Sequence, residues 1–178
     1  MAVDGATWLD WVRNRRVRGV GEHYLMIGIA VVAYGVDTAT KQLAIALLAP
    51  PKSIPLLGGW FQLQLLYNSG AAFSMGARFT PVIASVGVVA LILILTLIAP
   101  RVAGRLENVI VGLLLAGVAG NVTDRMVRAP GPFRGHVVDF IGLRYFAVFN
   151  VADICITAAA VILVIAVLRS QVGQKSRP

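Results

Sequence analysis

LLLAGVAGNVTDRMVR, residues 113–128, begins as membrane-grade apolar sequence and ends in Asn121, Asp124, Arg125 and Arg128. A lipid anchor needs none of those polar groups, because an ionisable side chain in a bilayer is costly and by default marks function. On a helix Asn121, Asp124 and Arg125 fall at i, i+3 and i+4 and share one face. Ala116 and Gly120, with Gly117 beside them, give the small-xxx-small spacing that lets another helix come close. The stretch therefore predicts a spanning helix packed among others, with one end equipped for chemistry.

The rest of the chain agrees with a membrane setting. Its 178 residues are 58% hydrophobic and only 13% charged, and the mean hydropathy is +0.81. A soluble domain of this length carries more polar surface. The single cysteine, Cys155, excludes an internal disulfide framework and a CxxC metal site. His23 and His136 are too few and too far apart to suggest zinc. The net charge of +8 sits beside apolar segments, so it reads as a topology signal and not as a nucleic-acid surface.

Four stretches are long enough for the roughly 20 helical residues that a bilayer takes: about 24–49, 79–99, 106–124 and 147–168. The first lacks an A-x-A cleavage site and carries Asp37 and Lys41, which suits a retained helix. The expected fold is an all-α membrane protein of four transmembrane helices, spanning residues 24–168, with a small extracytoplasmic β-sheet and loop region. Residues 1–23 read as a basic cytoplasmic segment, either disordered or, through Trp8 and Trp11, lying in the membrane interface. Residues 169–178 read as a basic cytoplasmic tail. Nine Lys and Arg residues fall on the side of the termini and six on the other, which places both termini in the cytoplasm.

With that orientation Asp37, Asp124, Asp139 and Asp153, four of the eight acidic residues, gather at the outer face. The outer loops carry strand signals. Residues 58–68 alternate Phe61, Leu63 and Leu65 with Gln62 and Gln64, and residues 135–143 and 144–150 are rich in β-branched and aromatic side chains. The turn-rich stretches APPKSIP and APGPFRG punctuate them.

Each polar group also has a plainer reading. Asn150 and Asp153 have the spacing of a helix N-cap and its reciprocal acidic partner. Asp37 and Lys41, at i and i+4, read as an internal ion pair that could also brace a site. Asn68 and Gly70, in NSGAAF, read as a turn or as a clamp on a peptide backbone. What favours chemistry is that two aspartates, Asp124 and Asp153, reach one depth from neighbouring helices. Two such carboxylates can share a proton, one serving as base toward water while the other polarises a carbonyl. The sequence holds no G-x-S-x-G, H-E-x-x-H or P-loop pattern that would supply a different catalyst.

DTATK, NSGAAF, AGNVTDR, VVDFI and FNVADI follow one another in this order on the predicted scaffold. Together they resemble the lipoprotein signal peptidases, also called signal peptidase II, over about residues 24–168. The resemblance implies an aspartyl endopeptidase of the bacterial inner membrane that cleaves diacylglyceryl-modified prolipoproteins just before the lipidated cysteine. It uses no cofactor or metal and is inhibited by globomycin-type cyclic peptides. Its implied partners are lipidated prolipoproteins and membrane lipids, not nucleic acid. It implies Asp124 and Asp153 as the catalytic pair. Asp37, Lys41, Asn68, Gly70, Asn121, Arg125, Asp139 and Asn150 are implied as supporting or substrate-contacting residues. The chain departs from the common family pattern in having Ala116-Gly117 for Gly-Gly and Phe146-Ala147 for Trp-Pro, which bears on the shape of the substrate groove. A small proton-coupled transporter is the competing class, and it predicts carboxylates near the membrane midplane instead of at one face.

Overall fold

The computed structural model describes residues 23–48, 50, 52–70 and 79–175, with side chains as far as 171. The basic segment before His23 lies outside the described residues, as do Ala71–Phe73 of NSGAAF and the end of the tail. In chain order the elements are α1 (Tyr24–Leu47), β1 (Ser53–Leu56), β2 (Phe61–Asn68), α2 (Thr80–Leu93), α3 (Arg105–Val127), β3 (Val137–Leu143) and α4 (Val151–Lys175). Beyond Leu93, α2 continues through a π turn (Ile94–Ile98) and a 3-10 turn (Ala99–Arg101).

Among the described residues three helical segments are long and apolar enough to cross a membrane: Thr80–Arg101, Arg105–Val127 and Val151–Gln171. At about 1.5 Å per residue each runs the roughly 30 Å of a hydrocarbon core. Helix α1 has 24 residues, but it interrupts its apolar sequence with Asp37 and Lys41. Helix α3 is the centre of the bundle, packed on by α1, α2 and α4. Its small residues explain this. A side chain at Gly117 would meet the Ala152 carbonyl oxygen and Ile156 of α4, and one at Gly112 would meet the Met26 carbonyl oxygen of α1. Valines on the outer faces of α1, α2 and α4, among them Val31, Val86 and Val164, stay exposed, as lipid-facing residues must.

The apolar core is divided between the two ends. Met26, Ile94, Ala99, Val102, Val111 and Leu115 form one cluster. Ala44, Leu48 and Phe140, with Ile54, Leu63 and Leu65 against them, join the sheet to the end of α1. The sheet is antiparallel in the order β1-β2-β3.

Several boundaries differ from the sequence reading. The stretch SIPL, expected as part of a turn, is strand β1. It is an edge strand, where the missing N–H of Pro55 costs no ladder bond. Residues 144–150 do not form a strand: Phe149 makes an isolated bridge with Ile141, and α4 starts at Val151, later than the expected 147. Helix α3 runs to Val127, almost a turn past the expected 124.

Candidate active site

The polar site lies where the end of α3, the start of α4 and strand β3 meet, with α1 behind them. The chain returns from α3 to β3 at Gly135, whose N–H donates to the Arg125 carbonyl at 3.1 Å. A Cβ there would run into the Asp124 and Arg125 backbone, so this close return requires glycine. Strand β3 is buried along Val137, Val138, Asp139 and Phe140. Beside it β2 is irregular: Leu63 pairs with Ile141 but Leu66 pairs with Asp139. The extra β2 residue is a bulge, which re-aims side chains near Asp139.

Asn150 joins two carboxylates. Its Nδ2 donates to Asp139 Oδ1 at 2.6 Å. Its Oδ1 accepts from the Asp153 N–H at 3.0 Å, and its own N–H donates to Asp153 Oδ2 at 3.1 Å. The last two bonds are the reciprocal cap expected from NVAD. The same Asp153 carboxylate also accepts from Asn121 Nδ2 at 2.8 Å. The capping and site readings of NVAD are thus both true of one geometry.

Asp139 is only 1% exposed. Its second oxygen accepts from Asn68 Nδ2 at 2.8 Å. Asn68 is itself held by the Gly70 N–H, which donates to its Oδ1 at 2.7 Å. All the direct partners of Asp139 are neutral amides. Burial is the main reason its carboxyl is pushed up to about 6, and the charge of Asp153 adds to the rise against the hydrogen bonds from Asn68 and Asn150.

Asp124 has a different environment. Its Oδ2 lies 2.9 Å from Lys41 Nζ and accepts the Val138 N–H at 3.2 Å. Its Oδ1 is paired with Arg128 Nε, one helical turn away. No hydrogen bond joins Asp124 to Asp153. The link between them is indirect, through Lys41 and Asn121, whose Oδ1 accepts from Lys41 Nζ at 3.2 Å. Lys41 of α1 and Arg128 just past the end of α3 thus occupy the oxygens of Asp124.

The expected Asp37–Lys41 pair is present at 2.8 Å, with both side chains 1% exposed. The other Asp37 oxygen accepts the Ala152 N–H at 2.8 Å, so α1 caps the first turn of α4. Gly120 allows this, since a Cβ there would lie 2.5 Å from Asp37 Oδ2. Arg125 is buried and its Nη1 has no hydrogen-bond partner among the described residues. It lies against Gly70, where a Cβ would sit 3.3 Å from Nη2 and where φ is +102°.

Two features escaped the sequence reading. Arg128 pairs with Asp124, although its i+4 spacing was visible. Asp139, expected as a supporting residue, touches the same asparagine as Asp153. A lone carboxylate in an otherwise apolar strand was the available sign. A cavity of about 860 Å³ adjoins the site, bounded by Gln42, Tyr67, Thr123, Asp124, Arg128 and His136 among others.

Comparison with known proteins agrees with this architecture. The family described as signal peptidase (SPase) II matches residues 29–169. A lipoprotein signal peptidase of Streptomyces coelicolor is 39% identical over 150 residues, 84% of this chain and 73% of the relative. One of Mycobacterium avium is 38% identical over 141 residues, 79% of this chain and 77% of the relative. A solved bacterial membrane enzyme, 25% identical, superposes with a TM-score of 0.68 over 92% of this chain and 98% of its own. The apolar helices, the sheet over their ends and these relatives together establish that the chain belongs to the signal peptidase II family of bacterial membrane peptidases.

Proposed function

We propose that this protein is an aspartyl endopeptidase that removes the signal peptide from diacylglyceryl-modified prolipoproteins, cleaving just before the lipidated cysteine, with Asp139 and Asp153 as its working pair. The observation that carries the pair is Asn150, whose side-chain amide donates to the Asp139 carboxylate while its backbone N–H donates to that of Asp153. An acid–base catalyst works best when it titrates near the working pH. Asp139, at about 6, meets that requirement. One carboxylate takes a proton from water while the other polarises the scissile carbonyl and later protonates the leaving amine. Arg125, with an unpartnered Nη1 beside the Cβ-free Gly70, suits the approach of a substrate carbonyl.

In this reading Asp124 is a brace. It neutralises Lys41 and Arg128 and anchors the start of β3 through the Val138 N–H. Asp37 and Lys41 hold α1 to α3 and α4. Helix α1 serves as a fourth span, its two charges hidden against the bundle. Both termini face the cytoplasm and the site faces outward, as the excess of basic residues beside the termini supports. Globomycin-type cyclic peptides compete with substrate at this site.

A second reading keeps Asp124 and Asp153 as the pair. The observation in its favour is the 860 Å³ cavity, which borders Asp124 but neither of the other two aspartates. Cleavage of a diacylglyceryl-modified prolipoprotein by purified protein in detergent, followed as a gel shift, separates the readings. Asp139→Asn and Asp153→Asn are expected to fold and not cleave. A folded Asp139→Asn variant that cleaves normally rejects the first pair. A folded Asp124→Asn variant that is inactive supports the second.

A further inference from the structure

A second cavity, of about 630 Å³, runs between α1, α2 and α3 toward the end of the bundle opposite the site. Its wall is apolar for most of its length, through Ile27, Val31, Leu95 and Leu115, and Thr123 marks its limit on the side of the site. From His23 to Tyr34 it follows α1 for about 16 Å at 1.5 Å per residue. Such a groove suits an extended acyl chain. Its far end is polar without being satisfied. His23 lines it, is only 5% exposed, and neither ring nitrogen has a hydrogen-bond partner among the described residues. An imidazole always offers at least one N–H donor, and leaving it buried and unpaired is costly. At the same end Ala99 and Pro100 line the groove, and the next residue, Arg101, donates from Nη1 to the Leu97 carbonyl at 2.7 Å but has a buried Nε without a partner among the described residues. The sequence adds Arg105 just after Arg101.

We propose that this groove holds one anionic glycerophospholipid, an acyl chain along α1 and the headgroup phosphate at His23 and Arg101. Both side chains donate to phosphate oxygens, and the positive charge of Arg101, with Arg105 close to it in the chain, distinguishes an anionic from a zwitterionic headgroup. The inference rests on membrane embedding and not on the identity of the catalytic pair, so its test does not read cleavage. The full chain, delipidated in detergent, is titrated with phosphatidylglycerol and separately with phosphatidylcholine, and the lipid adducts are read by native mass spectrometry.

The expected result is one retained phosphatidylglycerol, bound at least tenfold more tightly than phosphatidylcholine. His23→Phe, which keeps the ring volume, and Arg101→Gln are each expected to remove most of that preference. Ala119→Leu, which narrows the groove, is expected to weaken both lipids together. Equal binding of the two lipids, or an unchanged preference in His23→Phe, overturns the proposal. Displacement of phosphatidylglycerol by millimolar inorganic phosphate would reduce the site to a headgroup pocket and also overturns it. So would its stoichiometric displacement by a prolipoprotein, which would assign the groove to substrate.

Discussion

Replacing Asp139 by asparagine should make the protein inactive and, at alkaline pH, no less stable. In the folded protein the carboxyl titrates at about 6 instead of the ordinary 3.8. That shift of roughly two units corresponds to about 3 kcal/mol of destabilisation carried by the ionised, buried group. Asparagine removes the charge. It also turns an NH2 toward one of the two amides that donate to Asp139, from Asn68 and Asn150, at a cost of about 1–3 kcal/mol. The balance at pH 8 lies between no change and about 2 kcal/mol in favour of the variant.

The pH dependence is the sharper quantity. Between the unfolded value of 3.8 and the folded value of about 6 the native state binds the extra proton, so wild-type stability rises as pH falls through 6. From pH 8 to pH 5 wild type should gain about 1.4 kcal/mol that the variant lacks. Other titrating groups are common to both proteins and largely cancel in the difference. The assay is equilibrium or thermal unfolding of both proteins in the same detergent at pH 5 and pH 8. A gap that stays constant, or that moves toward the variant on acidification, would refute the account of Asp139. Adding Asp153→Asn to wild type should shrink the gap, because it removes one of the two causes of the raised value.

The remaining predictions concern the frame. Lys41→Met leaves Asp37 and Asp124 buried without their shared ammonium, and should cost about 3–5 kcal/mol, seen as loss of folded protein from the membrane fraction. Asp124→Asn should lower the unfolding temperature, with activity falling only as far as folded protein is lost; a stable, inactive protein would return Asp124 to the catalytic pair. Asn150→Ala removes the α4 cap, worth about 1 kcal/mol, and takes from Asp139 one of its two side-chain donors while the backbone bond to Asp153 stays, so kcat should fall far more than stability does. Gly117→Val should disrupt α3–α4 packing, since even a Cβ there overlaps the Ala152 carbonyl oxygen; overpacking of this kind costs about 1–3 kcal/mol.

Composition and patterning determined much of this protein by themselves. Long apolar runs leave a backbone few options in a bilayer, because every N–H and C=O must be satisfied internally. The small residues of α3 announced its central position, and NVAD announced the start of α4, because both are local rules of packing and capping. The choice of partners among the carboxylates was not local. Asp124 and Asp153 looked alike as acids at one membrane depth. Only the tertiary structure brought Lys41 from α1 onto Asp124, beside its local i+4 pair with Arg128. Only the bulged pairing of β2 with β3, and the tight return at Gly135, carried Asp139 to Asn150. The Lys41 contact joins residues far apart in the chain, and the electrostatics of a buried carboxylate depend on what surrounds it in space.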